Sequence, residues 1–344
     1  MDENKIIKYL VENLNSPQKN QILNKTDTLN LVSLGIGDDA AIINPQDTSV
    51  ITTDSIIEGV HFSKKWTSWE NLGWKSITIS QSDIASMGAQ PAYSVINLCI
   101  PSNISIKNIK SLYKGMTQAT NEFGGQIVGG DTVRSDIIVI SVTMIGSYPK
   151  KDIQLTPLAS TKPLQRSNAK PGDLIGVTGT LGCARGGLIS YNKDLSSTQK
   201  NIRHLKNAFN RPKPKIKDGL ILSNYGATSA IDISDGLIND LEKLCLASNV
   251  SSRINTNDIP TDQILKTTFP KKFIEIALVG GEDYELLFTV NPNNLKGIQD
   301  QSPSTISIIG EITISATETI TIDDNPIPSH LRNQLWDHFG SNKI

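Results

Sequence analysis

Stretches rich in Val, Ile and Thr recur along the chain and alternate with stretches of helical periodicity. Six of them have the length and β-branched content of strands. They are Ser49 to Thr53, Ala92 to Ile100, Gln126 to Val128, Ile137 to Ile145, Leu174 to Val177 and Ser229 to Ile233. The alternation predicts a protein of the mixed α and β class.

Two helices are predicted between the early strands. The first begins at Ser68, carries Asp83 in its last turns and is stopped by a glycine and a proline. The second begins at Ser105, carries Tyr113 and is closed by the glycine pair that starts at Gly124. Each helix therefore carries one polar residue, Asp83 or Tyr113, that is a candidate ligand.

The second half of the chain follows a polar connection. Periodicity fades between Tyr148 and Gly172, where AKPGD reads as the entrance to a new strand, and this places a domain boundary there. Further on, SDGLINDLEKLCLASN predicts a helix with Ser234 as its N-cap. The segment from about Leu295 to Ile320 is predicted to contain short strands and turns.

Length and charge narrow the classes of function. The 344 residues are too many for one ordinary core and fit two domains. The 33 basic and 34 acidic residues nearly cancel, so bulk charge favours neither nucleic acid nor a membrane as a partner. Three widely spaced cysteines are typical of buried thiols in a reducing compartment. MDENKIIKYL has no apolar signal core, and no run approaches the roughly 18 apolar residues of a membrane span, so we expect a soluble, cytoplasmic protein.

Acidic residues stand beside Gly, Ser or Thr at five places. They are Asp38 and Asp39 in GIGDDA, Asp54 in TTDS, Asp83 in SDIASMGA, Asp131 in GGDT, and Asp232 with Asp235 in DISDG. Taken singly, TTDS fits a strand before a turn, GGDT an ordinary turn, DISDG a helix N-cap, and SDIASMGA a solvated helix face. Taken together, single carboxylates without dedicated His or Cys suit Mg²⁺ shared with substrate phosphates. Such a site needs no protein nucleophile.

Other phosphate-binding signatures do not fit. The chain has no GxxxxGK[ST] loop and neither of the His-Arg-Asp and Asp-Phe-Gly kinase motifs. GIGDDA matches the letters of a dinucleotide fingerprint, but its two carboxylates would face a pyrophosphate and Pro45 interrupts the helix that the fingerprint needs. A Rossmann site is therefore rejected.

The motifs follow one another along the chain in the order seen in a known protein family. GIGDDAAI, TTDSIIEGVHF, SDIASMGAQPAY, GGDT, RSNAKPGD, VTGTLG, IDISDGL and GGEDYELLFT follow one another as in the thiamine-monophosphate kinase family, which the chain resembles from about Gly35 to Phe339. Some motifs are shared with the wider superfamily of aminoimidazole ribonucleotide synthetase, but EGVHF with GGEDYEL is more specific to the thiamine kinase. EGVHF departs from the usual DGVHF, so Glu58 is assigned no role. RSNAKPGD departs from RSGAKPGD and leaves Arg166 in place.

The resemblance implies a function and a set of site residues. The implied reaction is direct in-line transfer of phosphate from ATP to thiamine monophosphate, with several Mg²⁺ ions and no covalent nucleophile. The implied metal ligands are Asp39, Thr52 (through its main-chain oxygen), Thr53, Asp54, Asp83, Asp131, Asp232 and Asp235. The implied ATP contacts are Tyr113, Gly130, Asp131, Arg166 and Ser234. The implied substrate contacts are His61, Glu282 and Trp336, which offer a phosphate-directed donor, a carboxylate for the thiazolium cation and an aromatic face.

The resemblance also implies an architecture. An N-terminal α+β domain, residues 1–147, binds ATP and Mg²⁺ and pairs in a homodimer. A C-terminal α/β domain, residues 148–344, completes the nucleotide and substrate site.

Two alternatives stay open. One is another ATP-using enzyme of the superfamily, although selenophosphate synthetase would want a reactive cysteine before Cys99, and the hydrogenase maturation protein would want a C-terminal cysteine where this chain has SNKI. Aminoimidazole ribonucleotide synthetase fits less well because of GGEDYEL. The other is a non-catalytic protein that binds Mg-ATP and releases no ADP when thiamine monophosphate is added.

Overall fold

The computed structural model of the chain describes the strands Val32–Leu34 and Ile42–Ile43 by their backbone, and residues 49–148, 163–192, 195 and 197–337 in full. The described residues form two compact units. The first runs to Tyr148 without Ala85–Ala89, and the second contains Ala85–Ala89 and the residues from 163 onwards. None of the helices in the described part has the length and hydropathy required to cross a membrane.

The first unit is built on a four-stranded sheet. Its strands, together with a separate antiparallel pair, are β1 (Val32–Leu34), β2 (Ile42–Ile43), β3 (Ser49–Ile57), β4 (Gln90–Ile100), β5 (Gln126–Arg134) and β6 (Val139–Ser147). The sheet order is β3-β6-β4-β5, in which β4 and β5 pair in parallel and the other neighbours are antiparallel. Burial alternates along β6 from residue to residue, so one face of the sheet is packed and the other is open.

Two long helices belong to this unit, and both were predicted. They are α1 (Trp69–Ser86) and α2 (Ile106–Phe123). The Ser105 hydroxyl accepts the amide of Asn108 as the N-cap of α2. The helices cross closely because a Cβ at Gly73 would lie 1.9 Å from the Leu112 carbonyl oxygen, and one at Gly115 would lie 1.8 Å from that of Glu70. Only glycine permits this approach.

The second unit has a seven-stranded sheet. Its strands are β7 (Leu174–Thr178), β8 (Ala227–Asp232), β9 (Ser251–Ile254), β10 (Leu286–Val290), β11 (Ile306–Thr313), β12 (Ile320–Ile322) and β13 (Asn325–Pro326). The order is β13-β12-β9-β11-β7-β10-β8, and all neighbours are antiparallel except the parallel pair β12 and β9. The five residues of β10 are all buried, as expected for a strand in the interior of a covered sheet.

Eight helices of the described residues accompany this sheet. They are α3 (Cys183–Asn192), α4 (Gln199–Asn210), α5 (Ile216–Asn224), α6 (Leu237–Ser248), α7 (Gln263–Thr268), α8 (Phe273–Val279), α9 (Pro292–Gln301) and α10 (Ser329–Arg332). The main core gathers apolar side chains of α6 and α8 with those of β7, β10 and β11. The segment from about Leu295 to Ile320 was predicted to contain short strands and turns, which is confirmed by β11 and the start of β12 and is wrong for the residues up to Gln301, which belong to α9.

Candidate functional site

The first unit brings two of the predicted metal-binding carboxylates together. Thr52 and Asp54 are two residues apart on β3 and point to the same face of the sheet. On α1, Ser80 and Asp83 are three residues apart and share one side of the helix. The Thr52 hydroxyl donates a hydrogen bond to Oδ2 of Asp83, and the Ser80 hydroxyl donates to Oδ2 of Asp54 at 3.0 Å. Strand and helix are therefore joined by two hydroxyl–carboxylate pairs.

The Asp54 carboxylate lies where a negative charge is disfavoured. Burial, and then the neighbouring charge of Asp83, raise the pKa of Asp54 to about 7, although the hydrogen bond from Ser80 lowers it. A divalent cation beside both carboxylates would offset the repulsion that raises this pKa. Two carboxylates are also hard oxygen donors of the kind that Mg²⁺ prefers, and because the Thr52 hydroxyl donates to Asp83, the expected ligand atom of Thr52 is still its main-chain oxygen. The donor set of Asp54, Asp83 and Thr52 therefore fits the expected magnesium.

Asp131 does not join this cluster within the same unit. Asp131 is exposed and is paired in register with the exposed Asn97 of β4. Its neighbour Gly130 is the residue aligned with Asp54 across the intervening strands β4 and β6. Because successive residues of a strand alternate between faces, Asp131 and Thr53 lie on the face opposite Asp54. The GGDT motif is thus part of β5 and not a turn.

Gly130 is required by a close backbone contact. A Cβ at this position would lie 2.1 Å from the carbonyl oxygen of Ile96 on the neighbouring strand. The motif therefore keeps the backbone of β5 close to β4, which a larger residue would prevent.

His61 and Tyr113 differ in their surroundings. His61 is half-buried in the loop after β3, and its Nδ1 accepts the amide of Ile57 at 3.1 Å. This hydrogen bond places the proton of the neutral ring on Nε2, which is then a donor. Tyr113 is 4% exposed on the packed side of α2, and burial raises the pKa of its hydroxyl. The helical spacing thus puts Tyr113 in the core of the unit.

In the second unit, the DISDG motif forms the loop between β8 and α6. Ser234 does not cap α6, contrary to prediction, because the helix begins at Leu237 after Gly236, whose φ is 114°. Instead, Oδ2 of Asp240 accepts the amides of Ser234, Asp235 and Gly236 at 3.0, 2.9 and 3.1 Å. One oxygen of this fully buried carboxylate therefore fixes three consecutive amides of the loop.

Asp235, a predicted metal ligand, is ion-paired in this structure. The Lys243 ammonium lies 2.6 Å from Oδ2 of Asp235 and 2.7 Å from Oδ1 of Asp240. Burial raises the pKa of Asp240 to about 6, although Lys243 lowers it. Burial lowers the pKa of Lys243, but the two carboxylates outweigh burial and the net shift is upward. A cation bound by Asp235 would therefore share this carboxylate with Lys243 or displace the ammonium.

The GGEDYEL motif forms a loop that is held against DISDG. The amide of Glu282 donates to the carbonyl of Ser234 at 2.8 Å, and that of Tyr284 donates to Ile233 at 2.9 Å. Glu282 and Tyr284 both have positive φ, 68° and 52°, which is uncommon for residues with a Cβ. A Cβ at Gly281 would lie 2.4 Å from the Ser234 carbonyl oxygen. Two loops that carry predicted ligands are therefore in backbone contact, and one of them is strained.

The other two acids of GGEDYEL are buried and structural. Asp283 accepts the amides of Gly182 and Ala184 at 2.6 and 3.1 Å, at the start of α3. Glu285 accepts the hydroxyl of Thr178 and lies 3.1 Å from the Lys215 ammonium. Burial is the largest cause that raises the pKa of Asp283 and of Glu285, each to about 7. These two side chains hold the framework of the loop.

The remaining predicted residues are placed as follows. Asp232 is buried at the end of β8. Arg166 is exposed in a short 3-10 turn whose backbone is anchored by a serine of α6 that donates to its carbonyl at 2.6 Å. Trp336 is half-buried, and its carbonyl accepts the side-chain amide of Asn239 at 3.0 Å. Asp39 lies outside the described residues.

Sequence reasoning missed several residues that position the predicted ligands. Ser80, Asp240 and Lys243 contact predicted ligands directly. Arg185 on α3 is half-buried and interacts electrostatically with Glu282, which raises the Arg185 pKa while burial, the larger effect, lowers it. For Asp240 a signal existed, because an acidic residue in the first helical turn behind a loop of small residues is typical of a cap.

Known proteins match both units. Two family models, described as AIR synthase related protein, N-terminal domain, and AIR synthase related protein, C-terminal domain, match residues 37–148 and 170–323. The thiamine-monophosphate kinase of Buchnera aphidicola subsp. Acyrthosiphon pisum is 36% identical over 315 residues, which cover 89% of this chain and 92% of that protein. The chain belongs to the thiamine-monophosphate kinase family.

Solved structures of this family agree with the fold. The crystal structure of thiamine-monophosphate kinase from Stenotrophomonas maltophilia K279a matches with a TM-score of 0.75 and 30% identity, over 87% of this chain and 93% of that one. AaThiL complexed with AMPPCP and TMP matches with a TM-score of 0.71 and 29% identity, over 81% and 84% of the two chains. The resemblance and the two-domain mixed α and β fold are thereby confirmed.

Proposed function

We propose that this chain transfers the γ-phosphoryl group of ATP to thiamine monophosphate and releases thiamine diphosphate and ADP. The observation that carries the proposal is its 36% identity to a thiamine-monophosphate kinase over 92% of that protein's length. A related structure that binds AMPPCP, an analogue of ATP, together with TMP supports the choice of both substrates. Since these are soluble metabolites, the proposed compartment is the cytoplasm.

The proposed magnesium ligands with the best geometric support are Asp54, Asp83 and Thr52. When bound, Mg²⁺ neutralises phosphate charge and aligns the phosphate oxygens for in-line transfer. The hydroxyls of Ser80 and Thr52 hold the two carboxylates in place before any ligand arrives. This preorganisation lowers the cost of assembling the site.

The other metal ligands in the proposal are carried by the family resemblance alone. They are Asp39, Thr53, Asp131, Asp232 and Asp235.

The proposed nucleotide contacts are Ser234, Arg166 and the backbone at Gly130. Support for Ser234 comes from its loop, whose amides Asp240 holds in fixed directions. The exposed Arg166 side chain on an anchored backbone suits a phosphate contact.

The proposed substrate contacts are His61, Glu282 and Trp336. The Nε2 proton of His61 suits a phosphate oxygen, and the Glu282 carboxylate suits the thiazolium cation. Strain at Glu282 supports this role, because positive φ at a residue with a Cβ costs roughly 1 to 3 kcal/mol and such residues cluster at binding sites.

A homodimer belongs to the same proposal. The open face of the four-stranded sheet exposes Ile51 (72%), Val95 (39%) and Val133 (41%) to solvent. Exposed apolar side chains on one sheet face favour pairing with a second copy. Ile51→Asp should shift the mass measured by sedimentation equilibrium towards the monomer.

An ADP-release assay tests the reaction. Purified chain with Mg-ATP is offered thiamine, thiamine monophosphate, aminoimidazole precursors or selenide, and the products are identified by chromatography. ADP release that depends on thiamine monophosphate, with stoichiometric thiamine diphosphate, is expected. Release with another acceptor would assign a different enzyme of the superfamily, and nucleotide binding without release would indicate a non-catalytic protein.

A further inference from the structure

A second group of possible ligand atoms lies in the C-terminal unit, on residues that the proposed kinase reaction does not use. We propose that Cys183, His204 and Asp262 form a site for a single Zn²⁺ ion. One ligand atom from each of the three residues lies within 4.8 Å of the other two.

Three elements of one unit build the group. Cys183 is the first residue of α3, and His204 lies on α4, which packs against α3. Asp262 is the N-cap of α7, where its Oδ1 accepts the amide of Ile264 at 2.6 Å. Its Oδ2 lies 3.6 Å from Nε2 of His204. The helix cap thus orients the carboxylate, with one oxygen on α7 and the other towards the histidine.

The distances are close to those of a zinc site. Tetrahedral bonds of about 2.0 Å to N or O and 2.3 Å to S separate neighbouring ligand atoms by roughly 3.3 to 3.6 Å. The gap between His204 and Asp262 already matches this separation. The thiol sulfur is at most 4.8 Å away, so it needs to move by little more than about 1 Å.

The donor chemistry distinguishes this site from the magnesium site. A thiolate, an imidazole and a carboxylate are the ligands that Zn²⁺ takes, whereas Mg²⁺ takes oxygen ligands. Three protein ligands leave a fourth position for water. As the S–Zn bond forms, the thiol proton passes to the solvent.

The electrostatic surroundings favour a cation. Burial, followed by the charges of Asp283, Asp262 and Glu285, raises the pKa of the Cys183 thiol. The Asp262 carboxylate attracts a divalent ion, which would in turn stabilise the thiolate. An ion can approach the group from the side of His204 and Asp262, whose side chains are 46% and 30% exposed. Cys183 is more deeply buried, at 7% exposed. The competing interpretation is a thiol packed in a small core beside a surface ion pair.

Zinc titration of the untagged, full chain tests the proposal. After treatment with a chelator, zinc is titrated in competition with a chromophoric chelator for wild type, Cys183→Ser, His204→Ala and Asp262→Asn. The last variant keeps the N-cap of α7, since Asn caps as well as Asp. Each variant should either bind one zinc fewer per chain than the wild type or bind zinc with a much lower affinity. The loss of affinity should exceed the roughly 10- to 100-fold that is typical of changing a residue outside the ligand set. Cobalt should give a thiolate charge-transfer band in wild type that is absent from Cys183→Ser.

Two matched controls decide between the interpretations. Cys245→Ser removes another buried thiol of the unit, and His330→Ala removes another exposed histidine, whose Nε2 is 3.8 Å from a carboxylate oxygen of Glu275. Both should bind zinc as wild type does. The proposal is overturned if wild type binds no zinc at about 1 µM free metal, or if the controls lose as much affinity as the site variants. Because His204 is exposed, His204→Ala should fold even if Cys183→Ser does not.

Discussion

The buried carboxylate of Asp240 should control the loop that carries the predicted ligands Ser234 and Asp235. Asp240→Ala removes the acceptor of three amides and one partner of Lys243. An amide left without an acceptor away from water costs about 1 to 3 kcal/mol, against roughly 5 to 15 kcal/mol that stabilises a domain, whereas Lys243 is 39% exposed and keeps Asp235 as a partner. Asp240→Asn should cost less than Asp240→Ala, because all three amides use Oδ2 and the Asn oxygen can take that position, although its NH2 group replaces the Oδ1 that accepts from Lys243.

Urea unfolding and amide hydrogen exchange of residues 234–236 measure the two effects. Asp240→Ala should speed exchange at these amides by orders of magnitude, and Asp240→Asn should leave most of their protection. Asp218→Ala is a suitable control because it removes another buried aspartate, whose partner is Ser304. It should destabilise the chain without changing exchange at 234–236. Equal costs for the Asn and Ala variants of Asp240, or unchanged exchange in the Ala variant, would refute the role of the single oxygen.

Three further predictions concern the other acids. Asp54→Asn should lower the rate of ADP release at least 100-fold. It should also raise the free energy of unfolding at about pH 8 by roughly 1 to 3 kcal/mol, since it removes one of two neighbouring carboxylates. A variant that urea unfolds more easily than the wild type would contradict this. Glu282→Gly should raise the free energy of unfolding, measured by thermal unfolding, by about 1 kcal/mol, because a φ of 68° is strained for Glu and not for Gly. The same variant should have a lower kcat/KM for thiamine monophosphate. Unchanged kinetics would show that Glu282 is not part of the substrate site. Asp283 has a pKa of about 7 in the folded chain against 3.8 ordinarily, so the folded state keeps a proton that the unfolded state has lost, and stability falls as pH rises from about 4 to 7. Asp283→Asn should make this fall shallower by up to about 1.4 kcal/mol per pH unit in urea titrations, and identical slopes would count against it.

The elements found from sequence are those with local causes. The Ser105 cap and the glycine after Phe123 fix both ends of α2 through contacts within one turn. In contrast, Pro292–Gln301 buries only Ile298 among its side chains, so it shows little of the periodicity on which helix prediction depends. Its local signal was Asn291, whose side chain accepts the amide of Asn293, followed by a proline at the first position of the helix.

Some features of the candidate site follow from residue spacing along the chain, and others follow from how the helix packs on the sheet. Spacing places Thr52 with Asp54 on one strand face, and Ser80 with Asp83 on one helix side. Their pairing across 31 and 26 residues depends on how α1 packs on the sheet, which residue spacing alone does not specify.

The same reasoning explains Ser234. By local rules it was a good N-cap, but Asp240 takes the amide of Gly236, which a Ser234 cap would use, and has the stronger, charged acceptor. A neutral hydroxyl offers each amide a bond of about 1 kcal/mol, and a carboxylate offers about 1.5 to 3 kcal/mol. Once the chain can bring a buried carboxylate to the loop, three amides turn to it together. The helix then begins two residues later than the cap rule predicts, with Gly236 and not Ser234 at its N-cap.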